Sequence, residues 1–262
     1  MSLRSPVRRQ AALAPTVAPD RRRRRGLARS IRLFRLFLVE QTEPDLFYSG
    51  LAADAVDQVA EYTDLDGKTV VDVGGGAGHF TAAFRAAGAA CFLFEPDDAE
   101  LRGRGQPPDG AVLADGYWLP VADASADICF SSNVLEHVTD PAGFIEELVR
   151  ATRPGGLVYL SFTNWFSPWG GHEMSPWHLL GSRFAARRYT RRYGRQPKHV
   201  VGQNLHRVHV GQVLRLVGSR NDIRVVEALP RYYPRWCKVI VRIPVLREIA
   251  TWNLLLILRR TT

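Results

Sequence analysis

Short apolar runs alternate with helical hydrophobic spacings through the middle of the chain. The runs have the length of strands, and most are followed by a stretch with apolar residues at every third or fourth position. This alternation is typical of βαβ units, which build a mostly parallel sheet with right-handed crossovers. Seven strands are predicted, at Thr69–Val73, Ala90–Phe94, Ala111–Ala114, Asp127–Ser131, Leu157–Phe162, Ile223–Leu229 and Trp252–Arg259.

Helices are predicted before and between these strands. The clearest is Pro141–Thr152, because Asp140 stands at its N-cap and proline takes its first position. A second helix, Leu46–Tyr62, precedes the first strand and is closed by Asp66-Gly67. The same periodicity predicts helices at Phe80–Ala87, Arg183–Lys198 and Val210–Gly218.

The N-terminus differs in composition from the rest of the chain. Residues 1–26 combine prolines with the run Arg21–Arg25 and show no apolar period, so they are predicted to form a disordered basic tail. The next segment, Leu27–Val39, has the spacing of an amphipathic helix. Its apolar face carries Leu27, Ile31, Phe34 and Leu38, and its other face carries Arg29, Arg32 and Arg35.

Charge is unevenly distributed along the chain. The net charge is +9, but residues 1–35 carry +10, residues 36–182 carry −16 and residues 183–262 carry +15. Basic ends of this kind favour a polyanionic partner, either nucleic acid or an anionic membrane surface, although a solvated basic face would have the same composition. The three cysteines lie far apart, which argues against a disulfide framework.

A glycine-rich turn follows the first strand. Glycines let the backbone turn tightly and approach a ligand, and the next helix offers free N–H groups. The dinucleotide fingerprint needs glycine at a third position, which His79 or Thr81 occupies here, so that fingerprint fails. The pattern present is Asp-x-Gly-x-Gly-x-Gly, formed by Asp72, Gly74, Gly76 and Gly78.

This pattern resembles motif I of the class I S-adenosylmethionine (SAM)-dependent methyltransferases, and later segments extend the resemblance over residues 66–162. The segment from Asp127 to Val138 is similar to that of the quinone-biosynthesis-like branch. Gly170–Met174 and Pro230–Trp236 resemble an uncharacterised actinobacterial group of these enzymes. The remaining matching segments are Phe94-Glu95-Pro96-Asp97, Ala114-Asp115-Gly116 and Arg153-Pro154-Gly155-Gly156.

The resemblance implies a Rossmann-like, doubly wound, seven-stranded α/β sheet whose last two strands form an antiparallel pair at one edge. SAM would bind across the carboxyl ends of strands one, two and four. Glu95 would then hold the ribose, Asp115 would meet the adenine amine, and Asn133 would lie beside the sulfonium. Asp72 would serve the cofactor or cap the loop. The implied cofactor contacts are Asp72, Gly74, Gly76, Gly78, Glu95, Asp115 and Asn133.

An insert at residues 163–202 follows the fifth strand and is rich in tryptophan. This composition predicts an apolar lid over the acceptor. His172, Glu173 and His178 within it, with His137 near the sulfonium, are candidates to orient the acceptor or act as a base. The alternative is that His172 and Glu173 satisfy backbone groups. The spacing of His172, Glu173 and His178 differs from the zinc motif His-Glu-x-x-His, so no metal site is predicted.

A second insert, residues 230–250, separates the last two strands. Aromatic and aliphatic residues punctuated by arginine and lysine are typical of an interfacial membrane segment. An ordinary helix packed on the core, or a dimer face, would have a similar composition. No apolar run is long enough for a transmembrane helix.

The sequence therefore predicts one methyltransferase domain over residues 27–262, located in the cytoplasm or peripherally at the inner membrane face. Its acceptor is expected to be a small or lipid-linked molecule, such as an envelope lipid. Two alternatives stay open: methylation of RNA at ribose or carbon sites, and a non-catalytic SAM-binding module in a membrane complex. The Ser132-Asn133-Val134-Leu135 segment differs from the Asp/Asn-Pro-Pro-aromatic run typical of enzymes that methylate base amines.

Overall fold

A computed structural model describes residues 26–40 and 42–262 of the chain. The predicted disordered tail, residues 1–26, lies outside the described residues except for Gly26.

The described part contains a seven-stranded sheet with the order β3-β2-β1-β4-β5-β7-β6. Strand β7 runs antiparallel to both of its neighbours, and the other pairings are parallel. The strands are β1 Thr69–Val73, β2 Ala90–Glu95, β3 Val112–Leu113, β4 Ala126–Ser132, β5 Thr152–Thr163, β6 Ile223–Pro230 and β7 Asn253–Arg260.

Two strands differ from their predicted bounds for local reasons. The turn Arg153–Gly156 was expected before the fifth strand, but β5 begins at Thr152 and includes it. There the pairing register jumps between Ala126↔Thr152 and Ile128↔Leu157, so the turn residues bulge from the strand. Strand β3 is only two residues long, at the edge of the sheet.

The helices follow the predicted pattern within a few residues. Three short helices were not predicted: Asp98–Leu101 after β2, and Val239–Arg242 and Pro244–Ala250 in the second insert. The Asp97 carboxylate caps the first of these by accepting a bond from the Ala99 amide. The helices are α1 Leu27–Leu38, α2 Pro44–Val59, α3 His79–Ala86, α4 Asp98–Leu101, α5 Pro141–Ala151, α6 Ser182–Tyr193, α7 Val210–Gly218, α8 Val239–Arg242 and α9 Pro244–Ala250.

Helices cover both faces of the sheet, each over its own apolar layer. One layer joins α5 and α7 to the sheet and includes Phe144 and Val213. The other joins α2 and α3 to the opposite face and includes Leu51 and Phe84. Alternate residues of the central strands enter the two layers, as the two-residue period of a strand requires. The predicted doubly wound α/β sheet of seven strands is confirmed.

Helix α1 packs through a different face from the one with the most apolar residues. Arg29 and Leu33 are buried, and the Arg29 guanidinium forms a bidentate pair with the buried Asp54 carboxylate at 2.6 and 2.7 Å. Arg29 also donates to the Arg231 carbonyl, which ties α1 to the segment after β6. The predicted apolar face consequently points away from the protein, with Leu27, Ile31, Phe34 and Leu38 exposed.

Each insert has its own short elements. In the first, residues 163–202, two 3-10 turns (His172–Met174 and Trp177–Leu180) and α6 surround a small cluster of Trp165, Met174, Ala185 and Leu205. The second, residues 230–250, consists of a 3-10 turn followed by α8 and α9. Among the described residues, every helix is too short or too polar to cross a bilayer.

Candidate active site

The glycine loop between β1 and α3 lies at the carboxyl edge of the sheet. Gly74 and Gly78 have φ of 73° and 79°, a backbone region that favours glycine. A side chain on Gly74 would also collide with Val134, which follows β4, at 2.4 Å. A side chain on Gly76 would meet no atom within 4 Å, so the loop is open to a ligand there.

Asp72 lies beneath this loop. Its side chain is buried and its Oδ2 accepts a 2.6 Å hydrogen bond from the Thr81 hydroxyl at the start of α3. Burial raises the pKa of Asp72 to about 7, and the Thr81 bond only partly offsets this. These contacts favour the interpretation of Asp72 as a brace between loop and helix over direct contact with a cofactor.

Glu95 ends β2 and faces the loop from the side. Its two oxygens accept hydrogen bonds from the backbone amides of Gly76 at 3.0 Å and Asp97 at 3.2 Å. Burial raises the pKa of Glu95 although both amide bonds act in the other direction. After β3, Asp115 is exposed and its side chain accepts a bond from the Tyr117 amide. Glu95 and Asp115 thus lie at the carboxyl edge, at the end of β2 and just after β3.

A buried polar network surrounds the end of β4. Asn133 has φ of 60° and its side-chain oxygen accepts a bond from the Asn253 amide at 2.8 Å. Beside it, the fully buried Arg231 guanidinium donates to Ser132 and Ser161 at 2.7 and 2.8 Å. The sequence placed Arg231 in a family-like segment and among the basic residues of the predicted interfacial insert, but its burial removes it from any exposed surface. Its role as the cation that joins β4, β5 and β6 depends on contacts across the sheet.

Three histidine rings meet above the end of β4. His137 and His172, both predicted site residues, bring their Nε2 atoms to 3.2 Å. His199, near the end of the first insert, completes the group, with ring centroids 5.1 Å from His137 and 4.4 Å from His172. Nothing in the local sequence around His199 distinguished it, because its partners come from two other segments. One ring nitrogen from each histidine lies within 4.8 Å of the other two, a grouping able to hold a metal ion.

The ionisation of this cluster follows from burial and from its neighbours. Burial, together with the nearby His137 and His199, lowers the pKa of His172 to about 3. Burial acts to raise the pKa of Glu173, but hydrogen bonds from the His199 ring and amide outweigh it and lower this pKa to about 2. Glu173 is thus an ionised partner of His199, with its oxygens 2.7 and 2.8 Å from the His199 Nδ1 and backbone nitrogen.

The end of the first insert and the residues just after it contact two other segments. Lys198 of the insert is paired with Glu100 of α4 beside β2, and the Asn204 carbonyl lies 2.7 Å from the His137 Nδ1. His178 was also a predicted candidate, but it lies apart from the cluster: it is buried and its Nε2 contacts the Trp165 carbonyl at 2.9 Å. It therefore supports the fold of the insert.

Comparison with known proteins establishes the family. A family model described as a methyltransferase domain matches residues 71–160. An "uncharacterized methyltransferase" of Mycolicibacterium gilvum is 46% identical over 248 residues, which are 91% of this chain and 96% of that protein. The chain belongs to the class I SAM-dependent methyltransferases.

Other similar proteins agree with this methyltransferase assignment. An "uncharacterized methyltransferase" of Mycobacteroides abscessus is 45% identical over 249 residues, covering 90% of this chain and 95% of that one. A solved structure of a SAM-dependent methyltransferase from Mesorhizobium loti has the same fold, with a TM-score of 0.54 and 21% identity over 81% of this chain and 98% of that chain. The predicted family, fold and cofactor are confirmed, and the mycobacterial relatives match the predicted actinobacterial group.

Proposed function

We propose that this methyltransferase transfers the SAM methyl group to a lipid-linked acceptor that enters from an anionic membrane surface. One observation carries the proposal: large apolar side chains are exposed on α1 and on the second insert, among basic residues. Water-exposed apolar groups beside cations are suited to the interface of an anionic bilayer.

Helix α1 provides the first of these elements. Leu27, Ile31, Phe34 and Leu38 are between 44% and 65% exposed, although they line up along one face of the helix. The Arg32 side chain is 52% exposed, so it is available to a lipid headgroup while it also contacts Asp54. The helix is anchored to the protein by Arg29 and Leu33, which leaves its apolar face free to enter an interface.

The second insert provides the other element. Trp236, Val245 and Ile249 are 75%, 72% and 60% exposed. Lys238 and Arg242 are exposed on the same short segment. The alternative that this insert is an ordinary core helix does not fit, because only Cys237 and Val241 among residues 235–250 are buried.

Aromatic contacts join both elements to the first insert. Phe37 of α1 contacts Trp169 of the insert at 5.0 Å between ring centroids, and Trp169 contacts Trp252 at 4.5 Å. Trp252 in turn meets Tyr233, at the start of the second insert, at 5.6 Å. A membrane bound by α1 and the second insert would therefore lie beside the predicted lid, where an acceptor could pass from the bilayer to the carboxyl edge of the sheet.

The chemistry requires little beyond positioning. The acceptor nucleophile forms a bond to the methyl carbon as the carbon–sulfur bond breaks, and the electron pair stays on sulfur. The methyl donor is already activated, so the protein mainly aligns and desolvates the reactants. We assign SAM binding to the glycine loop, Glu95, Asp115 and Asn133, with Asp72 as support. We assign acceptor orientation to His137 and His172, with Glu173 positioning His199.

Two measurements test the proposal. The protein should co-sediment with vesicles that contain phosphatidylglycerol, and added salt should weaken this binding. Neutral vesicles should bind much less of the protein. Trp236→Ser should weaken binding severalfold, whereas Phe92→Ser, a change at an exposed aromatic residue on β2, should not. Absence of binding to anionic vesicles at low salt would overturn the membrane assignment.

The acceptor class is tested separately with labelled SAM and cell extracts separated into lipid, RNA, protein and small-molecule fractions. Label in the lipid fraction is expected. Label in RNA alone would instead favour the basic helix α6 as the binding surface. SAM binding without label in any fraction would favour a non-catalytic module.

A further inference from the structure

The geometry points to a metal site formed by His137, His172 and His199, suited to Zn²⁺ or a similar divalent transition metal. The three residues come from the 3-10 turn after β4, the first turn of the lid and the far end of the same insert. Imidazole is a preferred ligand of such metals, whereas Mg²⁺ and Ca²⁺ favour oxygen. The absence of a His-Glu-x-x-His spacing was therefore not decisive, because the histidines converge only in the folded chain.

The hydrogen bonds of two rings select the nitrogen that faces the cluster. The His137 Nδ1 lies 2.7 Å from the Asn204 carbonyl oxygen, and the His199 Nδ1 lies 2.7 Å from the Glu173 carboxylate. Both partners only accept hydrogen bonds, so each Nδ1 carries the proton and donates. Nε2 is then the nitrogen of each ring that would bind a metal.

The same bonds match the usual surroundings of histidine ligands. A metal-binding histidine typically donates its other N–H to a carboxylate or backbone carbonyl, which fixes the tautomer and orients the ring. His199 has the carboxylate of Glu173 in this position, and His137 has the carbonyl of Asn204. Glu173 holds both the ring and the backbone amide of His199, so the orientation of this ligand is fixed twice.

The spacing is close to that of a tetrahedral site. With Zn–N bonds of about 2.0–2.1 Å, neighbouring ligand nitrogens stand roughly 3.3–3.4 Å apart. The Nε2 atoms of His137 and His172 are 3.2 Å apart. One ring nitrogen of each of the three histidines lies within 4.8 Å of the other two, the range from which a bound ion could draw them together. His172 also has a φ of 52°, and backbone strain of this kind occurs at ligand sites.

Three histidines leave the fourth position of a tetrahedral metal for another ligand. This use of the site rests on the proposed methyl transfer. An acceptor hydroxyl bound there would lose its proton to solvent more readily, since the metal stabilises the oxyanion. The oxygen would then bond to the SAM methyl carbon, while the carbon–sulfur bond breaks and its electrons remain on sulfur. The three histidines would thereby hold the metal that both positions and activates the acceptor.

The site is tested by direct metal binding to the full chain. Chelator-treated protein is titrated with Zn²⁺ and with Co²⁺, whose visible absorption reports tetrahedral nitrogen coordination. One ion per chain is expected, and His137→Gln, His172→Gln and His199→Gln should each weaken binding by at least tenfold. His209→Gln is the matched control, because this histidine lies nearby against Phe166, outside the cluster, and should bind as the wild type does.

Glu173→Gln separates a metal site from a structural cluster. This variant keeps the shape of the side chain but removes the charge behind His199, so Zn²⁺ affinity should fall about 10–100-fold while the fold is kept. SAM affinity and circular dichroism, measured on every variant, report the cofactor site and the fold independently. Weak binding that is equal in wild type and all three ligand variants would overturn the site. Metal binding without any change in methyl transfer would overturn only its use in the reaction.

Discussion

The ring of Phe37 on α1 meets the ring of Trp169 in the lid edge to face, with centroids 5.0 Å apart and planes at 89°. This contact joins the exposed amphipathic helix directly to the insert that carries His172. The exposed helix and the first insert are therefore packed directly against each other.

Phe37→Ala is expected to lower the free energy of unfolding by about 2 kcal/mol, through lost burial and the lost ring pair. Phe34→Ala on the same helix is the matched control. Its ring is 49% exposed, so the change should be within about 0.5 kcal/mol, with weaker vesicle binding instead. Denaturant unfolding and vesicle co-sedimentation measure the two effects, and equal loss of stability in both variants would contradict the assigned faces.

Arg29→Ala is expected to destabilise the protein by about 3–5 kcal/mol. Its loss would leave the buried Asp54 carboxylate with only the longer contact to Arg32, at 3.3 Å. Arg32→Ala removes the other arginine from the same carboxylate, but its side chain is half exposed, so the cost should be under about 1 kcal/mol. Urea unfolding of both variants checks the difference, and similar losses would show that the buried pair does not anchor α1.

The raised pKa of Asp72 predicts that the free energy of unfolding depends on pH. Burial raises its folded-state pKa from 3.8 to about 7, so the folded protein retains a proton that the unfolded chain releases near pH 4. This contribution is fully present below the unfolded pKa and is lost as pH rises toward 7. The free energy of unfolding should therefore fall by about 2 kcal/mol between pH 5 and 7 from this group. Urea unfolding of cofactor-free wild type and Asp72→Asn should show that the variant lacks this fall, and identical pH profiles would refute the assignment.

Glu95→Ala is expected to weaken SAM binding by about 1.5–3 kcal/mol, the value of a hydrogen bond to a charged group. Asp97→Asn is the control. Asp97 caps α4 through the Ala99 amide, so SAM affinity should be nearly unchanged. Isothermal titration measures both, with circular dichroism to confirm the fold. A loss below twofold in Glu95→Ala would point to another carboxylate as the ribose partner.

The residue pattern by itself determined the order of strands and helices along the chain and the glycine loop, and the resemblance to class I methyltransferases added Glu95 and Asp115 at the strand ends. These features are local: hydrophobic periodicity sets each element, and parallel strands bring their carboxyl ends to one edge. Asp140 before Pro141 likewise predicted the start of α5 within the segment itself, and its Oδ1 accepts from the Ala142 amide.

Only the tertiary structure decided how distant segments meet. His137 and His172 are 35 positions apart, and the third ring, His199, carries no local mark. The face of α1 that packs against the protein also depends on a residue outside the helix. Asp54 pairs with Arg29, so the face that carries Arg29 is buried and the apolar face remains exposed. The burial of Arg231 likewise depends on distant partners, since the hydroxyl oxygens of Ser132 on β4 and Ser161 on β5 accept hydrogen bonds from its guanidinium. Local periodicity records which residues share a face of one element, but the complementary charge or ring that selects among those faces lies elsewhere in the chain.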